Sequence, residues 1–339
     1  MTESTPPVVL AAMSRATFEN QYGGPRLARL RTLAFLDDPV VVDDLDDPAL
    51  TERLARVEVL LTGWGAPLLT AERLERMPRL RALIHSAGSI RPFVTEEFWR
   101  RGILASTVAD ANAIPVAEFT LAAVIMAGKR APFLAAQLRA DPESWGASTR
   151  FGELGNRGRT IGVVGFSRIG RRVVTALQQL EETTVLVADP YADPAEVQAA
   201  GGRLVTLDEL LPAVDVLSLH APALPETAKM IGAAQLAALP DHTTVINTAR
   251  GSLVDTAALE RECASGRLNA ILDVTEPEPL PAASVLHTLP NVFLTPHVAG
   301  SLGNELSRMA DAALDELERY AQGSPLAFTV SSEAFEVSA

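Results

Sequence analysis

The sequence predicts an α/β protein made of two doubly wound parallel-sheet domains, and three observations predict it. Short β-rich runs alternate with helical patterns almost from end to end, as crossover helices impose on a parallel sheet. At 339 residues, nearly half of them apolar, the chain is long enough for two ordinary cores. The alternation also loosens over 129–159 and then resumes in a more regular second run.

In the first run, strands are expected at 8–13 (VVLAAM), 57–64 (VEVLLTGW), 82–88 (ALIHSAG) and 103–109 (ILASTVA). Helical segments rich in Leu, Arg and Glu fall between them, for example around 67–76. The acidic stretch 37–50 reads as a solvated loop or edge region. Residues 115–128 predict a mostly buried helix opened by Pro115, whose missing N–H is harmless in a first turn. Its best apolar run, 119–128, is far shorter than the ~20 residues that span a bilayer. The Pro, Gly and charge content of 129–159 suggests an excursion over the surface. Its aromatics Phe133, Trp145 and Phe151 either anchor an interface or fold back on their own domain.

In the second run, strands are expected at 160–166, 183–189, 214–220, 243–249, 269–274 and 291–297, with helices near 168–180, 193–200, 233–239 and 255–265. A last amphipathic helix over 301–321 sets Leu302, Leu306, Met309, Ala313, Leu317 and Tyr320 at helical spacing.

Charge and composition exclude several classes. A net charge of -13 disfavours nucleic acid and anionic membrane surfaces, and an anionic substrate then needs a local cationic site. Cys263 is the single cysteine, which leaves no intramolecular disulfide and no thiolate cluster. Five dispersed histidines match no metal-ligand spacing, so no metal is expected. The start lacks a basic, then apolar, secretory pattern, and the expected location is cytoplasmic.

The strongest local feature is TIGVVGFSRIGRRVV at 160–174. A strand enters Gly165, Phe166 and Ser167 make a short turn, and a helix opens near Arg168, Ile169 and Gly170. Exposed N–H groups at such a helix start hold a pyrophosphate, which makes this the turn of a Rossmann dinucleotide site. Ser167 stands where the middle glycine of GxGxxG is usual. The next strand ends in Asp189, 24 residues after Gly165, close to the ~20 expected for the acid that accepts both ribose hydroxyls. A carboxylate there repels a 2′-phosphate, and no arginine follows it directly, so NAD is expected over NADP.

Three further strand ends carry complementary polar groups. TTVINTARGSLVD delivers Arg250, LDVTEPEPLP delivers Asp273, Glu276 and Glu278, and FLTPHVAG delivers His297. Ligands of open α/β sheets bind outside the carboxyl ends of the strands. Reducing a 2-oxo acid needs a cation for its carboxylate, a proton donor for its carbonyl and a group that tunes the donor. An arginine fork, a histidine and a glutamate supply that set.

With these stretches in place, the chain resembles the D-isomer-specific 2-hydroxyacid dehydrogenase family, which includes phosphoglycerate dehydrogenases and glyoxylate/hydroxypyruvate reductases. The likeness runs from about 160 to 302 through IGVVGFSRIGRRV, VDVLSLHAPALPETAKMIG, VINTARGSLVDTAAL, ILDVTEPEPLP and LPNVFLTPHVAGS, and more loosely through 80–89 and 111–122. The resemblance implies Arg250 as the substrate-binding arginine, His297 as the acid/base and Glu278, rather than Glu276, as its carboxylate partner. It implies Asp273 on the nicotinamide carboxamide and Thr248 and Ala249 along the nicotinamide ribose. Arg168, Ile169, Ala221 and Ser89 would meet the cofactor's phosphates and sugars, with His220 near its adenosine end. Ser86, Ala87 and Gly88 would offer backbone N–H groups to the substrate carboxylate.

The resemblance also implies a flavodoxin-like substrate domain from 1–110 with 303–339, and an NAD-binding Rossmann domain from 111–302. Hinge closure between them and a homodimer built through the dinucleotide domain go with it. Against the sharp readings stand plain ones: His220 as a cap, His85 as a satisfied core residue, and His242 and His287 as surface or structural groups. Thr275 replaces a usual aromatic, and SIRPFV (89–94) lacks the family's second glycine and following Asp or Asn. A ligand-sensing protein akin to the family's transcriptional corepressors is the alternative to an enzyme. Formate or phosphite oxidation finds no support in 85–115, and a long, feedback-regulated phosphoglycerate dehydrogenase is not expected from this length.

Overall fold

The computed structural model describes residues 6–146 and 149–337, which divide into two compact units, 1–112 with 301–339 and 113–300. The first unit opens with strands β1 (Val9–Ala12), β2 (Val41–Val42), β3 (Val59–Thr62), β4 (Ala82–His85) and β5 (Leu104–Thr107). The second holds β6 (Thr160–Val164), β7 (Thr184–Ala188), β8 (Arg203–Leu204), β9 (Val216–Leu219), β10 (Thr244–Asn247), β11 (Asn269–Leu272) and β12 (Val292–Leu294). The chain then returns to the first unit with a helix, Leu306–Ala321, and β13 (Thr329–Val330).

The first sheet runs β13-β5-β4-β3-β1-β2, parallel except for β13. Without β13 this is the flavodoxin-like order, with its switch point between β1 and β3. Its strands are buried on both faces because alternate side chains enter different layers. Leu10, Leu60 and Leu83 meet Leu54, Leu74 and Phe98. Val9, Ala11, Leu61 and Ile84 meet Phe18, Tyr22 and Leu30, together with Met309, Ala313 and Leu317 of the returning helix. That helix starts at Leu306 rather than 301, because Gly303–Glu305 form a 3-10 turn in which Glu305 accepts from the Leu302 N–H.

The second sheet, β12-β11-β10-β9-β6-β7-β8, is parallel throughout. Its order is that of the Rossmann fold extended by one strand, with the switch point between β6 and β9.

Several segments depart from the sequence expectation. The helix expected at 115–128 spans Ala109–Gly128, so Pro115 lies inside it. Ala109, Ala111 and Ala113 favour helix on the near side of the proline, and the N–H groups of Ala111 and Asn112 both reach the Val108 carbonyl. This 20-residue helix is long and apolar enough to cross a membrane by length and composition, and half of it is buried inside the protein. The surface excursion expected at 129–159 holds a helix, Ala131–Ala140. Phe133 and Phe151 are buried against each other in the core of their own unit, 5.9 Å between centroids, so they are not interface anchors. Trp145 is exposed. The acidic stretch agrees with its reading as an edge region, since it carries β2, the edge strand that pairs with β1.

Candidate functional site

In the second unit every residue expected at the cofactor or the chemistry follows the carboxyl end of a strand. After β6, Gly165 takes φ 94°, and a Cβ there would approach the Ala221 nitrogen to 2.5 Å. A Cβ on Gly170 would run into the Gly165 carbonyl, so both glycines are required by close packing. Ser167 is the N-cap of the helix Arg168–Leu177, and no side chain caps it. A helix N-terminus at a strand end carries a positive dipole end and favours an anion there.

Asp189 follows β7 and is fixed by two backbone donors, Phe166 N–H at 2.7 Å and Tyr191 N–H at 2.8 Å. Each oxygen keeps a lone pair for a ribose hydroxyl. His220 and Ala221, both buried, follow β9. The His220 Nε2 lies 2.8 Å from Ser218 Oγ, while its Nδ1 is buried without a partner among the described residues, and burial lowers its pKa to about 3. A neutral imidazole with one orphaned nitrogen beside the glycine turn fits a bound polar ligand better than a cap does. The turn, the Asp189 carboxylate and this orphaned atom together suit a dinucleotide.

After β10, Asn247 shapes the turn that presents Arg250. Its amide donates to the Arg250 carbonyl at 2.8 Å and accepts from the Ala249 N–H at 3.0 Å. Asn247 did not figure in the sequence reading, although an Asn at a strand end is a known turn former. Thr248 and Ala249 are buried, and Thr248 Oγ1 lies 2.9 Å from Thr120 Oγ1. The Arg250 guanidinium donates to the Ala249 carbonyl at 2.7 Å. Desolvation lowers its pKa and the nearby Glu278 raises it, and it remains a cation.

The 273–299 region forms one connected piece. Asp273 is buried and accepts from Thr295 Oγ1 at 2.6 Å, Val298 N–H at 2.8 Å and Ala299 N–H at 2.9 Å. These bonds tie its carboxylate to the loop that carries His297, while Oδ2, which accepts once, keeps a lone pair for the carboxamide contact expected of it. The His297 N–H donates to the Asp273 carbonyl at 3.0 Å. The His297 Nδ1 lies 2.7 Å from Glu278 Oε1, with both side chains about half exposed. A carboxylate only accepts, so Nδ1 carries the proton and Nε2 faces outward as the working nitrogen. Glu276 instead gives its carbonyl to Thr256 Oγ1 at 2.6 Å.

In the first unit, the loop after β4 holds Ser86, Ala87, Gly88 and Ser89. The Ser86 N–H is bonded to the Thr62 carbonyl at 2.7 Å, which corrects the expectation that it is offered to a ligand: the first peptide past the strand still completes the sheet ladder. The N–H groups of Ala87, Gly88 and Ser89 find no acceptor among the described residues. His85 is a core residue with Nδ1 3.0 Å from Thr62 Oγ1 and its ring tilted on Phe93, and burial lowers its pKa to about 3.

Comparison with known proteins places these features in a family setting. Residues 121–299 match the sequence model described as D-isomer specific 2-hydroxyacid dehydrogenase, NAD binding domain. The chain is 34% identical over 281 residues to a D-3-phosphoglycerate dehydrogenase of Mycobacterium tuberculosis, covering 82% of this chain and 52% of that protein. It thus spans about half the length of the phosphoglycerate dehydrogenases it matches. It is 30% identical over 273 residues to glyoxylate/hydroxypyruvate reductase B of Yersinia enterocolitica, covering 80% of this chain and 83% of that one. Among solved structures, the TT0316 protein of Thermus thermophilus superposes with a TM-score of 0.74 at 28% identity, covering 95% of this chain and 99% of the other.

Proposed function

The chain belongs to the D-isomer specific 2-hydroxyacid dehydrogenase family, and on that premise we propose that it moves a hydride between NAD(H) and a small 2-hydroxy or 2-oxo acid. The observation that carries the proposal is the His297–Glu278 pair, 2.7 Å apart, on loops that follow neighbouring strands of an NAD-binding domain. A glyoxylate- or hydroxypyruvate-like acid is the preferred substrate, supported by the reductase that this chain matches over most of its length.

When bound, NADH supplies the hydride and NAD accepts it. The chain's own residues do the rest. Arg250 holds the acid's carboxylate through its planar fork. His297 gives a proton from Nε2 to the carbonyl oxygen during reduction and takes it back from the hydroxyl during oxidation. Glu278 keeps the ring in the Nδ1–H tautomer and compensates the charge of the imidazolium. Asp273 fixes the backbone that carries the ring. Asp189 accepts from the adenosine ribose hydroxyls and repels a 2′-phosphate, which favours NAD over NADP.

The test is loss of NADH absorbance with glyoxylate, hydroxypyruvate, pyruvate, branched 2-oxo acids and phosphohydroxypyruvate, with NADPH in parallel. Turnover of one unphosphorylated acid with NADH is expected. Tight NADH binding with no turnover on any acid would replace the enzyme reading with a ligand-sensing one.

A further inference from the structure

The loop after β4 owes its shape to a residue far away in sequence. Gln21 lies near the end of the helix Arg15–Tyr22, on the face that buries Thr17, Phe18 and Tyr22. It is 1% exposed, and both ends of its amide are engaged by Ser86. Gln21 Nε2 donates to the Ser86 carbonyl at 2.9 Å, and Ser86 Oγ donates to Gln21 Oε1 at 2.6 Å. The reverse amide orientation would set two acceptors against each other at the carbonyl, so this one is required.

The consequence follows from peptide geometry. In a planar trans peptide the C=O and the next N–H point in opposite directions. The Ser86–Ala87 bond is not among the cis peptides of the chain. Holding the Ser86 carbonyl toward Gln21 therefore aims the Ala87 N–H away from the helix. The following peptide is held in the same way: the Ala87 carbonyl accepts from the Val108 N–H at 3.2 Å, which aims the Gly88 N–H. Ala87 is 1% exposed, so its N–H is a donor withdrawn from water without an acceptor among the described residues, and such a donor calls for a partner from outside the chain.

We infer that Gln21 is a positioning residue for substrate: by gripping Ser86 it orients the N–H groups of Ala87 and Gly88 to receive the carboxylate of the 2-oxo or 2-hydroxy acid. This rests on the proposed reaction. Gln21 touches neither substrate nor cofactor, and it acts through one peptide plane. Losing the grip frees the plane to rotate, which weakens carboxylate binding.

The experiment compares wild type with Gln21→Met, similar in size but without the amide donor. The expected result is a rise of about tenfold in KM for the best 2-oxo acid, with kcat and NADH affinity unchanged. Ser86→Ala, which loses the hydroxyl but keeps the carbonyl bond, moves KM less. If Gln21→Met does not fold, Gln21→Leu, which also lacks the donor, carries the same expectation. A variant with reduced thermal stability and unaltered KM overturns the role of Gln21 while the dehydrogenase reading stands. A wild-type protein inactive on every acid overturns the reading of function and, with it, this inference.

Discussion

His297 has a left-handed backbone, φ 54°, which a residue with a Cβ adopts only when its surroundings hold it there. Asp273 does so by gathering Thr295, Val298 and Ala299 around its carboxylate and accepting the His297 N–H at its carbonyl. The ring is thus placed from behind by Asp273 and from the side by Glu278. Replacing the imidazole in His297→Asn removes the proton carrier but not this frame. We expect kcat to fall by about 10²–10⁴-fold while NADH binding, followed by fluorescence titration, is retained. Glu278→Gln, which keeps shape and loses charge, should fall less. Full turnover in His297→Asn would move the acid/base role elsewhere. Arg250, Glu278 and His297 were legible in the sequence because the reaction demands those side-chain types at strand ends. Family spacing, not chemistry, separated Glu278 from Glu276. The commitment of Asp273 and of the Ser86 N–H was not legible, since a hydrogen-bond partner depends on how a turn closes. Gln21 left a faint signal, a polar residue on the buried face of a short helix.

At the scale of elements, the longer parallel strands were readable because they are largely apolar on both faces, whereas the two-residue strands β2, β8 and β13 were not. Two residues show no alternation, and β13 joins the edge of β5 antiparallel through a contact made elsewhere. Glu316, fully buried on the returning helix, accepts from Ser106 Oγ at 2.6 Å, Ala327 N–H at 2.9 Å and Phe328 N–H at 3.1 Å. Its position gave a clue: it lies seven residues after Met309, on the apolar face of that helix. A carboxylate there is a three-point anchor for the segment entering β13. Glu316→Ala leaves three donors without their acceptor and should cost about 2–4 kcal/mol of stability in the first unit. Amide exchange at Ala327 and Phe328 should accelerate beyond that of the neighbouring β4 amides. Unchanged protection at those two amides would show that β5 pairing alone holds the strand.

Over the whole molecule, we expect burial of two histidines, rather than the net charge of -13, to set acid sensitivity. Each unit contains a histidine held neutral by desolvation, His85 in the first and His220 in the second, both with pKa lowered from 6.5 to about 3. Below pH 6.5 the unfolded chain protonates these imidazoles and the folded chain does not, until the pH nears 3. The unfolded state then binds more protons, so stability is fully present above the unfolded pKa and is lost as the pH falls through that window. Each group contributes a slope of up to about 1.4 kcal/mol per pH unit. The two units allow the contributions to be separated. Trp64 and Trp99 lie in the first unit, and Trp145 of the second is already 82% exposed, so tryptophan emission on denaturation follows mainly the first. His85→Asn should flatten the acid side of the emission-detected stability curve, and His220→Asn should leave that curve as it is. If both variants kept the wild-type acid slope, the sensitivity would have to come from carboxylates, and the neutral core histidines would play no part in it.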